Sequence, residues 1–191
     1  KERGMSVRME TDFPESECVK LEVSAEQPVR TAFYLRYPSW SGKVSVCING
    51  KKVKVGQKPG SYIVLDREWK DGDSIELTYP MDFRLEQTPD NPDVAALLYG
   101  PVVLAGKLGT AGMEAPAPFS DPARYNDYYT YDYHIPADLP VVLKCDRKRP
   151  GKNIRRTDGG LNFETAGGQR LSPLYDVHHQ RFVVYWNLDS E

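Results

Sequence analysis

Val44-Ser45-Val46-Cys47-Ile48-Asn49-Gly50-Lys51-Lys52-Val53-Lys54-Val55 decides the fold class. Val44, Val46 and Ile48 share one face of an extended chain, and Ser45 and Cys47 share the other. This period of two marks a strand with one side buried and one side wet. Asn49-Gly50 supplies the positive φ angles of a type I′ turn, and Val53 and Val55 carry the apolar face back along the return strand. The segment therefore reads as a β-hairpin.

The same period extends outward in both directions. Upstream, Val7, Met9 and Thr11 alternate with Arg8 and Glu10, and Val19, Leu21 and Val23 alternate with Lys20 and Glu22. Phe33 and Leu35 share a face opposite Tyr34 and Arg36. Downstream, Tyr62–Leu65 is rich in β-branched and aromatic residues. Lys70-Asp71-Gly72-Asp73 makes a tight turn, with Gly72 where backbone freedom is needed. Ile75, Leu77 and Tyr79 alternate with Glu76 and Thr78 until Pro80 ends the strand. Val94–Tyr99 and Val102–Ala105 are nearly all apolar, as in strands buried on both faces, and Gly100-Pro101 separates them. Short strands punctuated about every ten residues predict an all-β protein with almost no helix, built first as an antiparallel β-sandwich.

Composition changes after Gly106. Residues 107 to 139 are rich in Gly, Pro, Ala and Tyr, without a sustained period. A loop of that length is functional or crosses between domains more often than it lies inside one. The expected division is 1–106 for the sandwich and 107–191 for a second, smaller β-rich domain. In the latter, Val141–Leu143, Leu161–Glu164, Leu171–Tyr175 and Phe182–Trp186 read as strands, and Arg147–Gly160 as a basic loop. The terminal strand 182–186 is a candidate to return to the first sandwich.

At 191 residues and a formal net charge of −2, the chain can bury a real core without metals or disulfides. Its Lys and Arg are spread along its length, which argues against nucleic acid as a partner. No apolar run is long enough to span a membrane, and no signal peptide is seen. The chain opens on Lys1 rather than Met, as an excised or processed segment would. Cys18, Cys47 and Cys145 form no C-x-x-C pair, and an odd number does not make a disulfide framework, although one bridge stays open.

Candidate chemistry is sparse. Paired carboxylates could serve glycoside hydrolysis, but Glu15/Glu17 and Asp71/Asp73 occupy polar turns and read as solvated. His178-His179, read within a strand, would point to opposite faces and could not easily share a metal, even with His134 nearby. The expectation is one packed histidine and one facing solvent. The tyrosine cluster Tyr125, Tyr128, Tyr129, Tyr131 and Tyr133 offers flat rings with polar tips, suited to a sugar face or a domain interface. Trp40 is a further candidate, and Trp69 reads as a core lid. No phosphate-binding loop, dinucleotide motif or serine elbow is present. The residues yield no catalytic or metal site.

In order, Leu35-Arg36-Tyr37-Pro38-Ser39-Trp40, Ile48-Asn49-Gly50-Lys51, Pro59-Gly60-Ser61-Tyr62, Trp69-Lys70-Asp71-Gly72-Asp73 and Leu97-Leu98-Tyr99-Gly100-Pro101 resemble the region after the catalytic barrel in β-L-arabinofuranosidase-like glycoside hydrolases. The stretch from Pro173 to Trp186 resembles the terminal strand of the same proteins, particularly those of gut Bacteroidetes. The resemblance implies a parent enzyme that is periplasmic or extracellular. Its upstream (α/α)-barrel would use a zinc-bound cysteine nucleophile and a glutamate acid/base, with an adjacent cysteine pair and a Glu-x-Cys motif among the zinc ligands. This sequence has neither motif: Ser16 stands where a Glu-x-Cys ending at Cys18 would need glutamate. The chain is therefore expected to hold no cofactor, and zinc would belong to the absent barrel. It reads as a non-catalytic accessory region that packs against that barrel, with a plant-derived oligosaccharide as a further possible partner. A stand-alone carbohydrate-binding module and a structural protein–protein interaction domain are the alternatives.

Overall fold

The computed structural model describes residues 4–111 and 141–190. Described strands are numbered β1 to β16 in chain order, and helix is confined to two short 3-10 turns, Pro150–Asn153 and Leu174–Asp176. The fold is all-β, as the alternation predicts.

The chain forms two compact units, Lys1–Arg84 with Leu98–Val102, and Leu85–Leu97 with Val103–Glu191. In the first, β1 (Met5–Thr11), β2 (Cys18–Ala25), β4 (Ser45–Ile48), β5 (Lys51–Val53) and β7 (Ser74–Thr78) make a five-stranded sheet in the order β1-β2-β7-β4-β5. A two-stranded antiparallel sheet joins β3 (Val29–Tyr37) and β6 (Ser61–Trp69). Alternate residues of both sheets build one core from Leu21, Val23, Tyr37, Val46, Ile48, Ile63, Leu65, Trp69, Ile75 and Leu77. The hairpin between β4 and β5 has the expected turn, with φ of 50° at Asn49 and 73° at Gly50.

The second unit is built on a mixed sheet. Its path runs β11 (Val142–Cys145), β16 (Tyr185–Ser190), β9 (Val94–Tyr99), β10 (Val102–Gly109), β14 (Arg170–Pro173), β13 (Phe163–Thr165), β12 (Ile154–Arg156). β8 (Phe83–Gln87) and β15 (Arg181–Val183) attach beside β9 and β10. β11 and β16 pair in parallel; the other described pairs are antiparallel.

Several expectations meet a different arrangement. The units divide at Arg84 rather than at Gly106, because the apolar strands β9 and β10 take their hydrogen-bond partners from the C-terminal half: Ala95 is opposite Trp186 and Ala105 opposite Ser172. The second unit is thus not the smaller one. The terminal segment is two strands, β15 on β10 and β16 on β9, interrupted at Val184. Leu171–Tyr175 keeps strand geometry only to Pro173, after which the chain turns. The basic loop from Arg147 contains strand β12.

Candidate interaction surface

The β3–β6 ladder sorts its side chains into two sets. Facing the core are Phe33, Leu35 and Tyr37 from β3, with Ile63, Leu65 and Trp69 from β6. Phe33 and Trp69 lie 4.7 Å apart by ring centre, and the Trp69 indole N–H donates to the Thr31 carbonyl at 3.0 Å. The residues between them must face outward. The register places Ala32 opposite Asp66, Tyr34 opposite Val64 and Arg36 opposite Tyr62.

The outer set is apolar in its middle and charged toward one end. Tyr34 is 66% exposed, Tyr62 50% and Val64 39%. Arg36 lays its guanidinium over the Tyr62 ring, 5.2 Å from its centre, a cation–π contact that holds the ring in place. Arg30 and Asp66 stand 3.6 Å apart toward the β3 start. Tyr34 and Tyr62 are diagonal neighbours across the ladder, a spacing within reach of large side chains. The result is a firm aromatic platform over a packed core. Such a surface suits the apolar side of a protein partner or the C–H face of a sugar, each phenol keeping a polar tip.

Trp40 occupies a different environment. It is half-buried, with ring centres 6.2 Å from Phe13 and 6.5 Å from Tyr79. The Tyr79 hydroxyl donates to the Arg36 carbonyl at 3.0 Å, and burial pushes that phenol above its ordinary pKa. Trp40 therefore closes an aromatic cluster that braces β3 from below its outer residues. Tyr125, Tyr128, Tyr129, Tyr131 and Tyr133, together with His134, lie outside the described residues.

The candidate carboxylates hold backbone rather than face a cleft. Glu17 Oε1 accepts the Met81 N–H at 2.7 Å, and Asp71 Oδ1 accepts that of Ala25 at 3.1 Å. Asp73 is buried, not solvated. It accepts Asn49 Nδ2 at 2.7 Å and the Lys70 N–H at 2.9 Å, and so ties the two tight turns together. Burial alone would raise its pKa; the Asn49 and Lys70 hydrogen bonds, with Arg67 and Lys70 charges nearby, outweigh burial and lower it. His178 and His179 are both exposed and both outside strands, because the 3-10 turn ahead of them ends the ladder; His179 has φ of 52°. All three cysteines are free thiols, and Cys145 is buried. Among the described residues no group of three or more His, Cys, Asp or Glu could hold a metal, so these residues do not fit a zinc site.

Sequence reading placed Tyr34 and Arg36 on one face of a strand but did not single out Tyr34, Tyr62 and Val64 together. Their coincidence depends on the β3–β6 register, and the strands are separated by a whole hairpin. The usable signal was a tyrosine in each strand on the side away from Phe33 and Leu65.

Residues 1–81 match the family described as β-L-arabinofuranosidase, GH127 middle domain, and residues 84–188 match DUF4986, described as a domain of unknown function. Solved structures with this fold include a glycoside hydrolase (18% identity, TM-score 0.66, 98% of this chain and 33% of that one). They also include a GH127 β-L-arabinofuranosidase from Geobacillus stearothermophilus T6 (21%, 0.59, 98% and 31%) and a GH127 β-arabinofuranosidase (18%, 0.62, 97% and 32%). No curated protein matches the chain. The chain spans about a third of the length of the solved proteins it resembles. It belongs to the GH127-like glycoside hydrolases, with the GH127 middle domain over residues 1–81 and DUF4986 over residues 84–188.

Proposed function

We propose that, as a member of that family, this chain is an accessory scaffold that packs against and supports the catalytic barrel of a parent glycoside hydrolase. The observation that carries this reading is the outer face of β3–β6, where Tyr34, Tyr62 and Val64 stand exposed over an otherwise closed core. Isolated exposed apolar residues are ordinary; a cluster of large ones on one rigid face marks an interaction site. The barrel is the proposed occupant because two thirds of the length of the solved relatives lies outside the region this chain matches. Hydrolysis, and any zinc it uses, would reside in the barrel, and the parent would work outside the cytoplasm on a plant-derived glycan.

The experiment supplies the parent's catalytic region in trans and measures complex formation by analytical ultracentrifugation. The paired change Tyr34→Ser and Tyr62→Ser should weaken the complex by about tenfold or more, since large aromatic anchors dominate interfaces of this kind. An unchanged complex would reject this face as the docking site.

The same platform favours one second reading. Tyr34 beside a Tyr62 ring braced by a guanidinium also suits a carbohydrate-binding module. Calorimetric binding of arabinan or xylan by the chain alone, lost in the double variant, would establish that reading over the scaffold.

A further inference from the structure

Lys and Arg recur along the whole chain, but they are densest in one segment of the second unit. The whole chain is formally −2, yet the thirteen residues from Lys144 to Arg156 carry seven Lys or Arg and one Asp. The fold of the second unit gathers them. β11 ends at Cys145, and Asp146 closes a turn by accepting the Lys148 N–H at 2.9 Å. The 3-10 turn Pro150–Asn153 follows, and β12 continues as the last strand of the sheet path. Lys144, Arg147, Lys148, Arg149, Lys152, Arg155 and Arg156 are all exposed.

The arginines and lysines differ in what they hold. Arg147 pairs with Asp93 at 2.6 Å, Arg149 with Asp146 at 3.4 Å and Arg155 with Glu164 at 3.1 Å, while Arg156 lies over the Phe163 ring at 5.5 Å. Arg147, Arg155 and Arg156 therefore tie the segment to its own unit, and Arg149 closes a turn within it. Lys144, Lys148 and Lys152 have no acidic partner among the described residues. As exposed, compact ammonium groups they suit isolated carboxylates rather than planar bidentate recognition. No aromatic side chain lies between Lys144 and Arg156, so the segment has no platform on which nucleic-acid bases would stack.

We propose that the Lys144–Arg156 segment is a docking surface for a carboxylated polysaccharide, a glycan carrying repeated uronate groups. The choice of a glycan rests on the family context of the proposed function, but not on docking through β3–β6, so the two proposals fail separately. The segment would hold the enzyme near an acidic glycan without taking part in bond cleavage.

The test is affinity electrophoresis of the intact chain in gels containing polygalacturonate, with neutral arabinan as comparison and duplex DNA as a competing polyanion. Retardation by polygalacturonate alone is expected, falling steeply as salt rises from about 50 to about 500 mM because the contacts are exposed charges. The change Lys148→Glu with Lys152→Glu should weaken binding at least tenfold. The change Lys51→Glu with Lys52→Glu alters net charge equally on the other unit and should leave binding intact. Both variants alter exposed side chains, and circular dichroism verifies that each is folded. Absence of retardation, equal loss in both variants, or stronger binding to DNA than to polygalacturonate would each overturn the proposal.

Discussion

Replacing Gly106 with Ala tests the packing of the second unit at its tightest point. A Cβ there would stand 2.3 Å from both Cη2 and Cζ2 of Trp186 and 2.9 Å from Cγ1 of Val183. The Trp186 side chain is fully buried and its ring is rigid, so the clash cannot be relieved by the end of a flexible chain. Forcing a methyl into such a site costs about 1–3 kcal/mol, against which alanine recovers about 0.4–1 kcal/mol by restricting the unfolded chain. The upper part of the range is expected, a net loss of about 2 kcal/mol. For a chain of this length that lowers Tm by about 4–8 °C. Thermal unfolding by circular dichroism reads the shift, and Gly56→Ala, where a Cβ meets nothing within 4 Å, serves as the control. The cycle with Trp186→Phe isolates the cause: once the six-membered ring of the indole is gone, adding Gly106→Ala should cost much less than it does in the wild type. A Tm within about a degree of wild type, or the same loss in both backgrounds, would refute the reasoning.

Further outcomes are specific. Gly50→Val should destabilise the first unit by about 1–2 kcal/mol or more, since a β-branched residue resists the positive φ found there; an unchanged melting midpoint would mean that the turn tolerates it. Asp73→Ala removes the acceptor for Asn49 Nδ2 and the Lys70 N–H and should cost about 1–3 kcal/mol, read by urea unfolding. Because the folded-state pKa of Asp73 is lowered, its stabilisation is whole above the ordinary carboxylate value near 3.9 and is lost as pH falls through the lower folded value. The wild-type advantage over Asp73→Asn should therefore shrink only on acidification below about pH 4. Purified chain should release no chromophore from arabinofuranosyl or other aryl glycosides, with or without added zinc; turnover abolished by changing one of its carboxylates would show chemistry of its own.

Local features were legible where they follow from neighbours in sequence. The β4–β5 hairpin needs Asn49-Gly50 and an apolar alternation, and both are visible within a dozen residues. Long-range register was not legible. That Ala105 would lie against Ser172, or Tyr34 against Val64, depends on which strands meet, and alternation is silent about partners. The division at Gly106 followed a real change in composition, but Gly106 is a glycine inside β10, kept small by Trp186 some eighty residues later. The solvated reading of Asp73 failed for a related reason: Asn49, which binds it, belongs to another turn. The strand reading of His178-His179 fails because the Leu174–Asp176 turn follows β14 directly and ends the ladder before them.

The five residues Leu98–Val102 belong to the first unit although they follow a run assigned to the second. The Gly100 N–H donates to the Asp82 carbonyl at 3.1 Å, and the Gly100 Cα sits so close to Met81 that a Cβ would stand 2.5 Å from its Cγ. Vectorial synthesis must respect this order. A nascent chain cannot finish its first unit when Arg84 leaves the ribosome; it must wait for Val102, with the apolar β9 already emerged and its partner β16 not yet made. During that interval Ala95, Ala96 and Leu97 have the earlier strand β8 as a neighbour but lack β16. A gene fragment cut at Arg84 would deliver a first unit lacking one of its own pieces, whereas a cut after Val102 would complete that unit and strand β9 instead.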